Sequence, residues 1–350
     1  MDKIIKEDLE SIVSSDFPLE ALKNHTVLIT GATGMIGSLL IKSLLYFNLR
    51  HDTNIRILGL ARSHTRVHKV FADMLNWPNF NIIYDDVQTI SNIQEPIDYI
   101  IHGASVTSSK EFVDTPVETI QTAIFGSSNL LELAKEKTVK GFVFLSSMEI
   151  YGVTDFQKTD VKEEDYGYID LLNVRSSYSE SKRMVECMCA CYAKQYGIPV
   201  KIARLCQTFG AGVEYDDNRV FAQFARCIIE KKDIILHTSG ETVRNYCYVS
   251  DAIRAIIYIL IKGENGTAYN VANEETAISI RGMAEMLIER YADANIKVVY
   301  DFSEKKSYGY NPTIKLKLNT EKIQALGWKA TVNLTEMYDR MIQSMILKKP

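Results

Sequence analysis

Residues 25–37 read HTVLITGATGMIG. The first six form a short apolar run of strand length, and helical periodicity takes over from 35 to 47. Between them Gly31, Gly34 and Gly37 recur every third residue. Glycines in a strand-to-helix turn permit a tight reversal and bring backbone amides at the helix N-terminus close to a pyrophosphate. A glycine triplet alone is a weak signal. Its place gives it weight: strand before, helix after, near the start of the chain.

Working outward, strand-like runs recur at 55–60, 81–84, 98–102, 141–146 and 200–205. Helical stretches lie between most of them, notably 117–137 and 178–196. Alternating β and α segments with apolar strands predict an α/β fold, a Rossmann-type doubly wound parallel sheet covered on both faces. Beyond 205 the pattern loosens. Gly210 and Gly212, an acidic turn at Asp216 and Asp217, a helix over 220–231 and strands near Ile234 and Tyr246 predict a smaller C-terminal α/β substrate lobe. The expected division is an N-terminal helical extension at 1–24, a nucleotide-binding domain at 25–205, and a lobe at 206–350 from which 243–272 returns to the first domain.

At 350 residues the chain can bury roughly 75% of its unfolded surface, so its core needs no staples. Hydrophobic residues at 46% and charged residues at 24% exclude a disordered chain. A net charge of -4 gives no basic footprint for nucleic acid or an acidic membrane. The longest apolar run, 255–261, is far shorter than the ~20 residues of a membrane helix. No CxxC pair occurs among the six cysteines, so a zinc site is not expected, and reduced thiols fit a cytosolic protein. Residues 2–14 place Ile5, Leu9, Ile12 and Val13 at helical spacing among charges and do not resemble a signal peptide. A cytoplasmic location is expected.

Tyr178 and Lys182 form YxxxK and share one helix face at i and i+4. A lysine near a tyrosine hydroxyl favours the phenolate and suits it to acid–base work on a carbinol or carbonyl. Ser146 and Ser147 end the fifth strand upstream, where a hydroxyl can hold the same oxygen. The alternative, a surface tyrosine, explains none of this ordering.

With these motifs the chain resembles the extended short-chain dehydrogenase/reductases, the nucleotide-sugar epimerase/dehydratase family. The carrying residues are TGATGMIG (30–37), HGAS (102–105), LSSMEIYG (145–152), YSESK (178–182), VRNYCYVSD (243–251) and YNVANEE (269–275). The resemblance implies Tyr178 as general acid/base, Lys182 as the residue that orients the nicotinamide ribose and tunes Tyr178, and Ser147 as the hydroxyl on the reacting oxygen. Glu149 joins this candidate catalytic set, with a structural or sugar-binding carboxylate as an equal reading. It implies NADP(H) or NAD(H) held at Gly31, Thr33, Gly34, Met35, Ile36, Gly37, Val87 and Ala104, with Asp86 reaching the adenine amino group. It implies a nucleotide-sugar substrate contacted by Arg244, whose planar guanidinium suits phosphate. Arg219 is a second candidate, or a solvated charge. A homodimer through the helices at 117–137 and 178–196 is implied as well.

Departures from the family pattern bear on the reaction. Family dehydratases carry adjacent Asp-Glu where this chain has Met148-Glu149, and Met148 cannot donate a proton. Family decarboxylases keep the glutamate, usually after serine, and use an arginine like Arg244. Gln207 replaces the substrate-binding asparagine, and Phe209 a tyrosine. The second strand ends without the acid that NAD enzymes use for the ribose hydroxyls, and Arg62 there suits a 2′-phosphate unless it is simply solvated. His64, Arg66 and His68 add positive potential or form an ordinary solvated loop. These features lead the expectation to a reductase of a nucleotide-linked ketose, such as CDP-ketose to CDP-alditol for surface polysaccharide. The alternative is an NAD-recycling epimerase or UDP-glucuronate-type decarboxylase. A redox sensor without catalysis is disfavoured because Tyr178 and Lys182 are both present.

Overall fold

The computed structural model describes residues 2–14, 18–90, 93–155, 160–291, 295–302 and 313–349. In chain order the strands are β1 (Thr26–Thr30), β2 (Arg56–Ala61), β3 (Phe80–Tyr84), β4 (Tyr99–His102), β5 (Gly141–Ser147), β6 (Val200–Leu205), β7 (Gln207–Phe209), β8 (Ile234–Leu236), β9 (Val243–Tyr248), β10 (Ala268–Val271), β11 (Asn273–Ser279), β12 (Val298–Tyr300) and β13 (Lys315–Leu316). The helices are α1 (Lys3–Ser14), α2 (Met35–His51), α3 (His64–Phe71), α4 (Glu111–Asp114), α5 (Pro116–Lys137), α6 (Ser176–Tyr196), α7 (Val220–Glu230), α8 (Val249–Lys262), α9 (Ile280–Arg290), α10 (Glu321–Gln324) and α11 (Leu334–Leu347).

Seven parallel strands form one sheet in the order β10-β6-β5-β4-β1-β2-β3. Helices cover both faces, so central strands must be apolar on both sides. β1, β4, β5 and β6 are buried at every position, whereas the edge strand β3 is half exposed. The predicted strands sit within a residue or so of the observed ones. α2 runs to His51, four residues past its apolar pattern, because Arg50 and His51 suit a helix C-terminus and Asp52 closes it in the left-handed conformation.

The remaining strands build a four-stranded sheet, β11-β9-β13 with β7 on β9, and a pair, β12-β8. β9 belongs to this second sheet, so the expected return at 243–272 begins only with α8 and reaches the large sheet at β10. The apolar run 255–261 is the core of α8, nearly all of it buried. Asp251 at its start accepts from the Thr331 and Val332 amides and the Thr331 hydroxyl, while Trp328 Nε1 donates to the Asp251 carbonyl. That cluster fixes the C-terminal segment onto the large domain.

α1 packs its buried Leu9, Ile12 and Val13 into the same core. Asp8 comes with them, accepting from the Tyr248 hydroxyl at 2.8 Å and from Arg340 Nη2 at 2.8 Å. Burial pushes its carboxyl up to about 6 against the opposing pull of Arg340 and Tyr248. Among the described residues no helix is long and apolar enough to cross a membrane.

Candidate active site

The sheet order reverses between β1 and β4, and ligands of such sheets bind outside the carboxyl ends of the strands at that point. Gly31 lies there with φ +69°, and a Cβ on it would come within 2.9 Å of the Gly103 carbonyl group. A Cβ on Gly37 would collide with the Gly31 carbonyl oxygen. Only glycine lets these turns pack. Gly34 caps α2 without a side-chain bond, and Thr33, Met35 and Ile36 stand half exposed beside it. The turn is braced from below: the Gly103 and Ala104 amides donate to Thr30 Oγ1, which sits 2.8 Å from His102 Nδ1, while His102 Nε2 meets Ser127 Oγ at 3.0 Å. Burial, helped by the Lys182 charge, pushes His102 down to about 3, so the imidazole is neutral.

Val87 is buried against Gly126 of α5, and Asn129 donates to the Val87 and Gln88 carbonyls. Asp86 and Arg62, assigned separately from the sequence, meet each other: Arg62 Nη1 lies 3.2 Å from Asp86 Oδ2 on an exposed rim. His64 stacks on Tyr84 at 3.6 Å just outside. A shape made by glycines, with open amides at the start of a 17-residue helix, fits a dinucleotide.

Tyr178 sits in the first turn of α6 and Lys182 one turn later. Ser147 stands beside the Tyr178 hydroxyl, and its Oγ accepts from the Glu149 amide at 3.2 Å. Phe112 stacks on the Tyr178 ring at 4.2 Å. Burial, followed by the Glu149 charge, pushes the Tyr178 phenol above its ordinary value, while Ser147, Arg175 and Arg219 pull it back. Lys182 Nζ lies 5.7 Å from the centre of the Tyr178 ring and donates to the Leu145 carbonyl at 2.8 Å, and burial pushes it down to about 8 against the upward pull of Glu186. Ser146 points away from Tyr178, donating to Glu186, which also grips the buried Arg204.

The sequence reading missed Arg175. It grips Glu149 through two bonds, Nη1–Oε2 at 2.8 Å and Nη2–Oε1 at 3.2 Å, with each side chain only 10% exposed. Its signal was position, three residues before Tyr178 and so one turn earlier on the same face. Met148, Glu149, Arg175, Tyr168 and Leu316 line a cavity of about 110 Å³. Arg244 pairs in register with Leu316 across β9 and β13, and its buried Nε has no hydrogen-bond partner among the described residues. An orphaned buried guanidinium nitrogen points to a ligand. Gln207 lies on β7, paired with Tyr246 of β9. Arg219 is held by Asp217 at 2.6 Å, yet its charge still reaches Tyr178.

Residues 27–272 match the model of the "NAD dependent epimerase/dehydratase family". The chain is 29% identical over 315 residues to UDP-glucuronic acid decarboxylase 6 of Arabidopsis thaliana, covering 89% of this chain and 86% of that protein. The UDP-glucuronic acid 4-epimerase of Bacillus cereus, solved with UDP-glucuronic acid and NAD, shares its fold at TM-score 0.77 and 22% identity, over 92% of this chain and 99% of that one. The UDP-glucose 4-epimerase of Thermotoga maritima, solved with UDP-glucose, does so at 0.76 and 20%, over 93% and 100%.

Proposed function

Because the chain belongs to the NAD dependent epimerase/dehydratase family, we propose that it is a redox-recycling enzyme of nucleotide-linked hexuronates, acting as a UDP-glucuronate-type decarboxylase. The observation that carries this reading is the Glu149–Arg175 pair, each side chain only 10% exposed, beside Ser147 and Tyr178, with Arg244 on β9 in register with Leu316, which lines the same cavity. Decarboxylases of the family keep a glutamate like Glu149, usually after a serine where this chain has Met148, and use an arginine like Arg244. The similarity to a UDP-glucuronic acid decarboxylase along most of both chains supports it.

NAD, when bound, supplies a hydride acceptor that later returns the hydride. Gly31, Thr33, Gly34, Met35, Ile36 and Gly37 would cradle its pyrophosphate, Val87 and Ala104 would line its path, Asp86 would take the adenine end and Lys182 the nicotinamide ribose. Tyr178 would take the proton of the sugar hydroxyl being oxidised and give it back on reduction, while Ser147 holds that oxygen. Ser147 and the cations of Arg175 and Arg219 pull toward the phenolate this step needs, against burial and the Glu149 charge, which hold the phenol above its ordinary value. Arg244 would meet the diphosphate, with Arg219 adding field and Gln207 contacting the nucleotide-sugar. With a ketone β to the sugar carboxylate, the carbon–carboxylate bond would break to CO2 and leave its electron pair as an enolate on the ketone oxygen, and the carbon that carried the carboxylate would then take a proton from solvent, so no donor at Met148 is needed.

The ketose reductase expected first from the sequence has less support. Arg62, whose free guanidinium motivated it, is engaged by Asp86. The reading also includes a cytoplasmic setting and a homodimer. Val117, Ile120, Phe125 and Met184 stand exposed on α5 and α6 and would pack against their copies. Incubation with UDP-glucuronate, UDP-glucose and CDP-sugars, with product masses read, tests the substrate class. Loss of CO2 from UDP-glucuronate supports the reading; turnover of neutral sugars alone contradicts it.

A further inference from the structure

Glu149 is only 10% exposed, and a lone carboxylate so withdrawn from water is pushed toward its protonated form. Here it does not stand alone. Arg175 meets both of its oxygens in the planar fork that suits a carboxylate. The arginine is itself fixed: it forms the N-cap of α6, its amide donates to Asn173 Oδ1, and its guanidinium lies 5.6 Å from the Phe112 ring. Phe112 in turn stacks on Tyr178 and receives at its carbonyl the hydroxyl of Ser177. Glu149, Arg175, Phe112 and Tyr178 thus form one packed unit.

We propose that Arg175 is a positioning residue: it holds Glu149 as a fixed carboxylate acceptor for a sugar hydroxyl and leaves the Ser147–Tyr178 pair as the sole proton-transfer machinery. This rests on the function proposed above. It also accounts for Met148: with no donor at 148 and none at 149, the site has no acid to expel a sugar hydroxyl, and elimination is closed. Among the described residues, other charged or titratable groups near Glu149 include Tyr178 on α6, and Tyr168 and Asp170 lining the same cavity.

The test compares wild type, Arg175→Met, Arg175→Lys and Arg175→Met/Glu149→Gln in the NAD-loaded full chain. Thermal stability is followed from about pH 5 to 8, which needs no knowledge of the substrate. Without its cation the buried carboxylate binds a proton in the folded state that the unfolded chain releases, so stability is lost as pH rises. The deficit of Arg175→Met should widen across that range by about 4 °C or more. The double variant should abolish the widening, and Arg175→Lys should reduce it. Turnover of UDP-glucuronate by Arg175→Met should fall at least ~10-fold and recover as pH rises and Glu149 ionises, whereas wild type stays flat. A deficit that does not change with pH, or that the double variant leaves in place, overturns the proposal. If UDP-glucuronate is not turned over by any form, the proposed function fails while the stability series still judges Arg175.

Discussion

Arg62 and Asp86 face each other at 3.2 Å across the ends of β2 and β3. Parallel register puts Ala61 beside Tyr84, so the residues just beyond these strands must meet. Arg62 thus already has a carboxylate partner, with which a 2′-phosphate would compete.

NAD should therefore bind at least ~10-fold more tightly than NADP, because a second anion would compete with Asp86 for one exposed guanidinium. Asp86→Asn should narrow the ratio by freeing Arg62. Titration of both cofactors against wild type and variant checks this. Tighter binding of NADP by the wild type would return Arg62 to the role expected from the sequence.

Tyr178→Phe should lower turnover at least ~100-fold and leave NAD affinity within a few fold. The ring still stacks on Phe112 while the proton carrier is gone. Steady-state rates and NAD titration give both numbers, and retention of more than about a tenth of activity would remove Tyr178 from proton transfer.

Arg244→Ala should weaken nucleoside diphosphate binding about 30- to 150-fold, the equivalent of ~2–3 kcal/mol for a lost charge-assisted pair. Its buried Nε has no hydrogen-bond partner among the described residues, which leaves it open to a phosphate oxygen. Calorimetric titration of UDP against both proteins measures the difference; equal affinities would place Arg244 outside the site.

The strands of the large sheet were legible because burial on both faces makes them continuous apolar runs. The four-stranded sheet was not, since β7 and β13 have only three and two residues and join segments far apart in sequence. Among site residues, the glycines, Ser147, Tyr178 and Lys182 announce themselves by spacing. Arg175 lies at the end of a loop without periodicity, and only its one-turn distance from Tyr178 hints at its place. The Arg62–Asp86 contact needed strand order, which the sequence does not print.

Asp8 offers a pH test of the N-terminal helix. Its carboxyl is held at about 6, above the ordinary 3.8, chiefly by burial. Between those values the folded state keeps a proton that the unfolded state has lost, so stability falls as pH rises through that window. Two units correspond to ~3 kcal/mol. Asp8→Asn should remove this slope, so its stability relative to wild type improves from about pH 4 to 7 in urea unfolding. Parallel curves would show that Asp8 does not titrate there.

The central claim is redox recycling on a nucleotide-linked hexuronate, and stoichiometry tests it most directly. UDP-glucuronate would be mixed with NAD-loaded protein while CO2 release and reduced nicotinamide are followed together. The account predicts many CO2 released per enzyme, a UDP-pentose as product, and no net accumulation of reduced cofactor. Consumption of one NADH or NADPH per product formed, or turnover without CO2, would contradict it.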